Sequence, residues 1–223
     1  MAIDWGETQP RRLPVYLLLD TSGSMQGTKI VSVNNGVTTI YQELMNDPRS
    51  VSTVVISLIT FSDQAMQMPM QPITQFVPPQ LSASGTTSLG GALHLLNESL
   101  DRDLIANAPG RKGDYKPLVF LLTDGMPTDH WETEAARLTS RASSRPINLI
   151  GLAVGDDADI QLIQQIASIT MHMRDASGDN LRAFFEWVSA SIKTASQAAG
   201  GNVHDAGHPQ VQLPPTPSGV ITL

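Results

Sequence analysis

The 223-residue sequence contains no cysteine. Disulfide bonds, thiolate metal sites and cysteine nucleophiles are therefore excluded, and the composition fits a reducing compartment. The sequence also lacks a run of about 18 apolar residues, the length that a transmembrane helix requires. We therefore predict no membrane span.

Basic residues are scarce: 14 Lys and Arg stand against 21 Asp and Glu, for a net charge of -7. No basic stripe is visible, so the pattern argues against a nucleic-acid partner. Residues 1–12 are polar and acidic before they are basic, which is not the pattern of a secretory signal. We expect a cytoplasmic protein. The hydrophobic content of 41% is enough for one buried core.

Three oxygen-bearing side chains follow the first apolar run. Val15–Leu19 predicts a buried strand of a parallel sheet. Asp20, Ser22 and Ser24 then alternate along the chain. Such ligands favour Mg²⁺, Ca²⁺ or Mn²⁺ over Zn²⁺ or copper, and open α/β sheets bind ligands at the carboxyl ends of their strands. Taken alone, however, the same residues could be a polar turn that caps the following helix.

Two further loops carry polar residues that could reach the same edge of a sheet. Residues 82–88 form a Ser- and Thr-rich stretch before a predicted helix, and we expect Gly90 and Gly91 to let that helix start pack closely against the first loop. Leu118–Leu122 predicts another central strand, which ends just before Asp124. In a doubly wound sheet, the three loops can meet at one edge. The apolar side of the predicted helix consists of Leu89, Ala92, Leu93, Leu96 and Leu100.

The remaining periodicity predicts alternating helices and strands. We predict an α/β fold of the Rossmann-like, doubly wound type, with helices on both faces of the sheet. The sheet is predicted to be mostly parallel, with about six strands and one short antiparallel edge strand. The further predicted strands are 52–61, 65–67 (the edge strand), 147–154 and 171–174, and the further predicted helices are 29–45, 130–141, 160–167 and 181–195.

Composition divides the chain into three parts. We expect a flexible leader at 1–11, a domain at 12–198 and a Gly/Pro-rich tail at 199–223. The tail contains more apolar residues than a linker requires, so it could dock as an extended strand or a polyproline segment and regulate access to the site. Thr216, which is flanked by prolines, is a candidate phosphorylation site.

The order of the three polar motifs resembles the von Willebrand factor A (VWA) domain over about Arg12 to Ala195. The motifs are Asp20-x-Ser22-x-Ser24, then Gly85 to Leu93, then Leu121 to Gly125. The resemblance implies a metal-ion-dependent adhesion site (MIDAS), in which two serines and one threonine bind the cation directly and two aspartates bind it mostly through water. By position these residues are Asp20, Ser22, Ser24, Thr87 and Asp124.

The choice between two neighbouring threonines depends on spacing. Thr87-x-Leu89-x-x-Ala92-Leu93 matches the family pattern, whereas Thr86 would then face away from the cation. We therefore assign the ligand role to Thr87.

A finer resemblance concerns Arg11 to Met25, Leu58 to Phe61 and Leu122 to Asp129. These stretches are similar to bacterial TerY-type proteins of tellurium-resistance and stress operons. The resemblance implies that a Ser/Thr kinase and a PP2C-type phosphatase of the same operon act with the protein.

These observations support a non-enzymatic protein-interaction module. The cation, Mg²⁺ or alternatively Ca²⁺ or Mn²⁺, would accept an Asp or Glu side chain or a C-terminal carboxylate from a protein partner. The alternative is a Mg²⁺-dependent hydrolase that uses the same site, which would need a base beside the activated water. The sequence shows no nucleophile–base pair and no phosphate-binding Gly-x-x-x-x-Gly-Lys motif.

Several other polar or adaptable residues have simpler interpretations. Asp156, Asp157 and Asp159 precede a predicted helix, where acidic residues are favourable, and a second cation site is the alternative. Asp63 is predicted to be a turn or cap residue, and the five histidines lack zinc-site spacing. Four methionines are expected to pack in the core or at its edge, with partner contact beside the site as the alternative: Met66, Met68, Met70 and Met126.

Overall fold

The computed structural model describes residues 11–109, 112–141, 145–198 and 213–223. Short 3₁₀ turns lie at Gly23–Met25 and Ile73–Gln75. The strands are β1 (Leu13–Asp20), β2 (Val54–Phe61), β3 (Ala65–Pro72), β4 (Leu118–Thr123), β5 (Asn148–Val154), β6 (Ile169–Met173) and β7 (Ile221–Thr222). The helices are α1 (Thr28–Met45), α2 (Pro48–Thr53), α3 (Leu89–Asp103), α4 (Glu132–Ser140), α5 (Ile160–Ile166) and α6 (Gly178–Ala198).

The strands form one sheet in the order β3-β2-β1-β4-β5-β6-β7. The neighbours from β2 to β6 run parallel, whereas β3 and β7 pair antiparallel at the two edges. After β1 the chain forms β2 on one side of β1, and after β3 and α3 it forms β4 on the other side. This reversal of strand order creates a crevice at the carboxyl ends of β1 and β4, where doubly wound sheets bind their ligands.

Apolar side chains alternate between the two faces of the sheet. Leu17 and Leu19 of β1 pack with α1 and α6 on one face, whereas Tyr16 and Leu18 pack with α3 on the other. Helices α4 and α5 cover the same face as α3. Because both faces are covered, the parallel strands are mostly apolar. The predicted fold class, a doubly wound α/β sheet with helices on both faces, is confirmed.

The sheet has one more edge strand than the six-strand prediction. Ile221–Thr222 from the tail pairs with β6, and the Leu223 amide donates to the Thr170 carbonyl at 2.9 Å. Trp187 of α6 also donates its indole N–H to the Pro214 carbonyl at 3.0 Å. Two residues are too few for a periodic signal, so the sequence suggests only that the tail could dock as an extended strand and does not locate that strand. Residues 1–10 of the leader and 199–212 of the tail lie outside the described residues.

Two local boundaries differ from the predictions. The strand predicted from Ser52 begins only at Val54, because Asp47 caps a short helix by accepting from the Ser50 amide at 2.8 Å. The predicted edge strand 65–67 extends through Pro72. Proline is tolerated there because β3 pairs on only one side.

Helices α1 and α6 approach each other closely at Gly36. A Cβ placed on Gly36 would lie 2.1 Å from a ring carbon of Phe185. Glycine in a helix interior normally costs about 1 kcal/mol relative to alanine, so this position exchanges helix propensity for close packing.

We expect Gly36→Ala to destabilise the protein by about 1–3 kcal/mol, since overpacking the helix contact outweighs the gain in propensity. Urea unfolding would measure the change in the free energy of unfolding. Asn35→Ala is the control, because Asn35 is the exposed neighbour on the same helix. Equal stability of the wild type and Gly36→Ala would contradict the packing argument.

Candidate metal centre

Asp20 ends β1 as a buried carboxylate. Its Oδ1 accepts from the Ser22 amide at 2.8 Å, and its Oδ2 accepts from the Thr123 hydroxyl at 2.6 Å. Burial raises the pKa of the Asp20 carboxyl above its ordinary value, although these hydrogen bonds act in the opposite direction. A nearby cation would favour the charged form, so this carboxylate suits a metal centre.

The hydroxyls of the first loop meet the carboxylate of the third. Ser22 Oγ lies 2.9 Å from Ser24 Oγ, and Ser24 Oγ donates to Asp124 Oδ1 at 2.5 Å. The 3₁₀ turn at Gly23–Met25 lets both serine side chains reach the same place. The Gly23 amide also donates to the Gly85 carbonyl at 2.9 Å, which joins the first loop to the second.

The two threonines of the second loop face different neighbours. A Cβ placed on Gly125 would lie 3.3 Å from Thr87 Oγ1 and 3.7 Å from Ser24 Oγ, so both hydroxyls border the third loop at Gly125. Thr86 instead donates its hydroxyl to Asp63 Oδ1 at 3.0 Å and its amide to the same oxygen at 2.9 Å. The structure therefore brings Thr87 together with Asp20, Ser22, Ser24 and Asp124, and leaves Thr86 outside.

Thr128 and Asp129 hold the second loop in place, and sequence reasoning missed both roles. The Thr87 amide donates to Thr128 Oγ1 at 3.2 Å, while the Thr128 amide donates to the Thr87 carbonyl at 2.9 Å. Asp129 accepts from the Gly90 amide, the Gly91 amide and the Ser88 hydroxyl, each at 2.9 Å. Asp129 thus caps α3 from a different loop, whereas the usual cap signal is local.

The paired glycines at the start of α3 have a different neighbour from the one predicted. A Cβ on Gly90 would lie 2.3 Å from the His130 carbonyl oxygen, and one on Gly91 would lie 2.7 Å from Ser88 Oγ. Because glycine has no Cβ, Gly90 allows the close approach of the segment after β4, and not of the first loop. The expectation that these glycines pack against the first loop is wrong in this respect.

Lys29 is a further member of the site that the sequence did not reveal. Its ammonium lies 2.6 Å from Asp124 Oδ2 and donates to the Ser24 carbonyl at 3.3 Å. Lys29 lies in the first turn of α1, 95 positions before Asp124 in the sequence. The contact follows from tertiary folding and has no local sequence signal.

The donor set consists of two carboxylates and three neutral hydroxyls. Among the described residues, no cluster of three or more His, Asp or Glu side chains could hold a metal. Oxygen donors of this kind fit a hard divalent cation, and such a cation would compensate the buried negative charge of Asp20.

The comparison with known families agrees with the fold. A sequence profile described as von Willebrand factor type A domain matches residues 15–186. The chain belongs to the VWA family. The matched range spans β1 to α6 and includes all three loops of the candidate metal centre.

Relatives of this VWA chain come from different kinds of protein. Human inter-alpha-trypsin inhibitor heavy chain H6 is 28% identical over 176 residues, which is 71% of this chain but 13% of that protein. A von Willebrand factor type A structure from Catenulispora acidiphila has a TM-score of 0.61 at 16% identity and covers 82% of this chain and 43% of its own.

A second similar structure was solved with a metal bound. Proximal thread matrix protein 1 from the mussel byssus, described with a zinc-occupied MIDAS motif, has a TM-score of 0.56 at 17% identity. The match covers 81% of this VWA chain and 48% of the mussel protein. At these identities, the structural likenesses show the fold.

Other candidate residues of the VWA chain have structural partners. Asp159 caps α5 by accepting from the Leu162 amide at 3.0 Å, which agrees with the helix-start interpretation of the acidic group. His94 pairs with Glu134, and His172 pairs with the Gly155 carbonyl. His204 and His208 lie outside the described residues. In the described ranges, no helix is long and apolar enough to cross a membrane.

The four methionines divide between the core and the surface. Met68 packs against the α1–α6 side of the core and Met70 against the α3 side. Met66 and Met126 are exposed, and Met126 follows the third loop directly. Met68 and Met70 therefore fit the core-packing interpretation, whereas Met66 and Met126 remain candidates for contact with a partner.

We expect Asp129→Ala to lower the free energy of unfolding by about 1–3 kcal/mol, because three donors lose their acceptor. It should also weaken Mg²⁺ binding, since Asp129 fixes the start of the helix that follows Thr87. Urea unfolding and calorimetric Mg²⁺ titration would measure the two effects. Asp159→Ala is the matched control: it removes a helix cap on α5 and should cost stability without changing Mg²⁺ affinity. Unchanged Mg²⁺ affinity in Asp129→Ala would show that the hydrogen bonds to Asp129 do not support the metal site.

Proposed function

We propose that this VWA domain is a divalent-cation-dependent protein-interaction module with a MIDAS. Asp20, Ser22, Ser24, Thr87 and Asp124 would hold the ion, and a partner protein would supply an Asp or Glu side chain or a C-terminal carboxylate. The convergence of the Ser22, Ser24 and Thr87 hydroxyls on the Asp124 loop carries this proposal. Mg²⁺ is the proposed ion, with Ca²⁺ or Mn²⁺ as alternatives.

The hydrogen bonds of the site favour binding over catalysis. Both oxygens of Asp20 already accept hydrogen bonds from protein donors, so Asp20 would attract the cation without binding it directly. A carboxylate that does not bind directly neutralises less of the cation's charge. Neutral hydroxyls leave the cation its attraction for an anionic oxygen. Among the described residues, no histidine is hydrogen-bonded to the five candidate ligands. A hydrolase would need a general base within reach, so we propose that the protein is not an enzyme.

The cellular role follows from the finer resemblance to TerY-type proteins. We propose a bacterial, cytoplasmic stress or tellurium-resistance assembly that includes a Ser/Thr kinase and a PP2C-type phosphatase. Residues 12–198 would form the interaction domain, and the tail would dock on the domain or regulate it.

Thr216 is the proposed phosphorylation site within this tail. It is exposed, and its hydroxyl lies 2.9 Å from the Thr222 hydroxyl of β7. A phosphate would add about two negative charges at this contact. Phosphorylation would therefore weaken the pairing of β7 with β6.

The two adjacent threonines provide a test of the ligand set. We expect Thr87→Val to weaken Mg²⁺ binding by at least about tenfold, because even supporting residues of metal sites contribute that much. Thr86→Val should leave the affinity close to that of the wild type, since Thr86 contacts Asp63. Isothermal titration of the full chain with Mg²⁺ would measure both affinities. An equal loss in the two variants, or a loss in Thr86→Val alone, would contradict the assignment.

The function itself is tested by selecting phage-displayed peptides on the full chain in Mg²⁺ and repeating the binding in EDTA. Selected peptides should contain an acidic group, lose binding when that group is replaced by its amide, and be released by EDTA. Asp20→Asn should abolish their capture while the protein remains folded. Capture that persists in EDTA would contradict the proposal. Mg²⁺-dependent hydrolysis of p-nitrophenyl phosphate that disappears in Asp20→Asn would instead support the hydrolase.

A further inference from the structure

Lys29 occupies a position that its own helix does not favour. It lies in the first turn of α1, and that turn contains no acidic residue. The N-terminus of a helix carries partial positive charge, so a lysine is unfavourable there unless another group compensates. Asp124 supplies that compensation, since its Oδ2 lies 2.6 Å from the Lys29 ammonium.

The ion pair is built into the candidate metal centre. The Asp124 side chain is 1% exposed and that of Lys29 is 28% exposed, so the pair lies at the boundary between the interior and solvent. The other oxygen of Asp124 accepts from Ser24 Oγ, which is itself a candidate ligand. Lys29 therefore contacts the ligand set directly through a carboxylate and through the Ser24 carbonyl.

The charges of these groups can be counted. Asp20 and Asp124 contribute two negative charges, and Lys29 returns one positive charge, which leaves a net charge of about −1 for the three groups. A divalent cation would convert this to about +1, whereas without the lysine the total would be about zero. Lys29 thus opposes cation binding and leaves a bound centre that attracts a further anion.

We propose that Lys29 sets the charge balance of the metal centre: it lowers the affinity for the divalent cation and raises the preference for an anionic ligand. The inference depends on the proposed function, because it requires a cation at the site. Lys29 is a positioning residue that acts through Asp124 and needs no contact with the partner.

The two halves of this proposal predict opposite effects of one substitution. Lys29→Met keeps an unbranched side chain of nearly the same length and removes the charge, so Mg²⁺ should bind more tightly and an anion more weakly. A lysine that only stabilised the loop would give a different result, since its removal would weaken both. The direction of the changes therefore separates charge balance from loop stability.

The experiment titrates the full chain with Mg²⁺ by calorimetry, in chloride and in acetate at equal ionic strength. Acetate is the carboxylate probe, and it should tighten apparent Mg²⁺ binding if both occupy one centre. In chloride, Lys29→Met should bind Mg²⁺ about three- to tenfold more tightly than the wild type, which corresponds to about 0.7–1.4 kcal/mol. The additional tightening by acetate should be smaller in Lys29→Met than in the wild type.

Two controls isolate the charge at this position. Lys29→Arg keeps the positive charge and should resemble the wild type in both buffers. Lys193→Met removes a matched ammonium, which lies 2.6 Å from Glu43 and is 29% exposed but has no contact with the site. It should change neither affinity. Lys29→Gln is the second neutral variant, should Lys29→Met fail to give a cooperative unfolding transition.

Mg²⁺ binding by the neutral variants that is unchanged or weaker would overturn the proposal. An undiminished acetate effect would overturn it as well. A wild-type chain that binds no Mg²⁺ in either buffer would contradict the proposed function itself, so the two failures are distinguishable.

Discussion

The parallel pairing of β1 with β4 is the constraint on which the site depends. This pairing places Leu19 opposite Leu122, so both strands end side by side although about a hundred residues separate them in sequence. The Thr123–Asp20 hydrogen bond joins the strand ends at the level of the side chains. Because a dense core on both faces fixes the strands, the loops that follow them have little freedom of position.

The second loop, which contains Thr87, is positioned less directly. No strand of the sheet ends at Thr87, and its place depends on the exchange of hydrogen bonds with Thr128 and on the contact of Asp63 with Thr86. Polar contacts between loops therefore complete a geometry that the sheet begins. Loops held in this way can rearrange more easily than strands, which suits the proposed role of this site in binding a partner.

Strong local patterns allowed most of the architecture to be predicted from sequence. Leu118–Leu122 is apolar throughout and indicates a central strand, and Asp124 follows it after one residue. The partners that act across the fold could not be inferred in this way. Asp129 caps the start of a helix at Gly90, 39 positions earlier, and Lys29 pairs with a carboxylate 95 positions away. Such contacts exist only after the chain has folded, so periodicity and capping rules do not indicate them.

The short strand β7 has a consequence for self-association. Without it, β6 would present unpaired amides and carbonyls along one margin of the sheet, where another polypeptide could add as a strand. On the opposite margin, Pro69 and Pro72 of β3 remove amide donors. The two edges of the sheet are thus protected in different ways. Backbone pairing with β7 covers the β6 edge, and prolines protect the β3 edge. Release of β7 would leave the β6 edge open to pairing with another polypeptide, which is a route to aggregation.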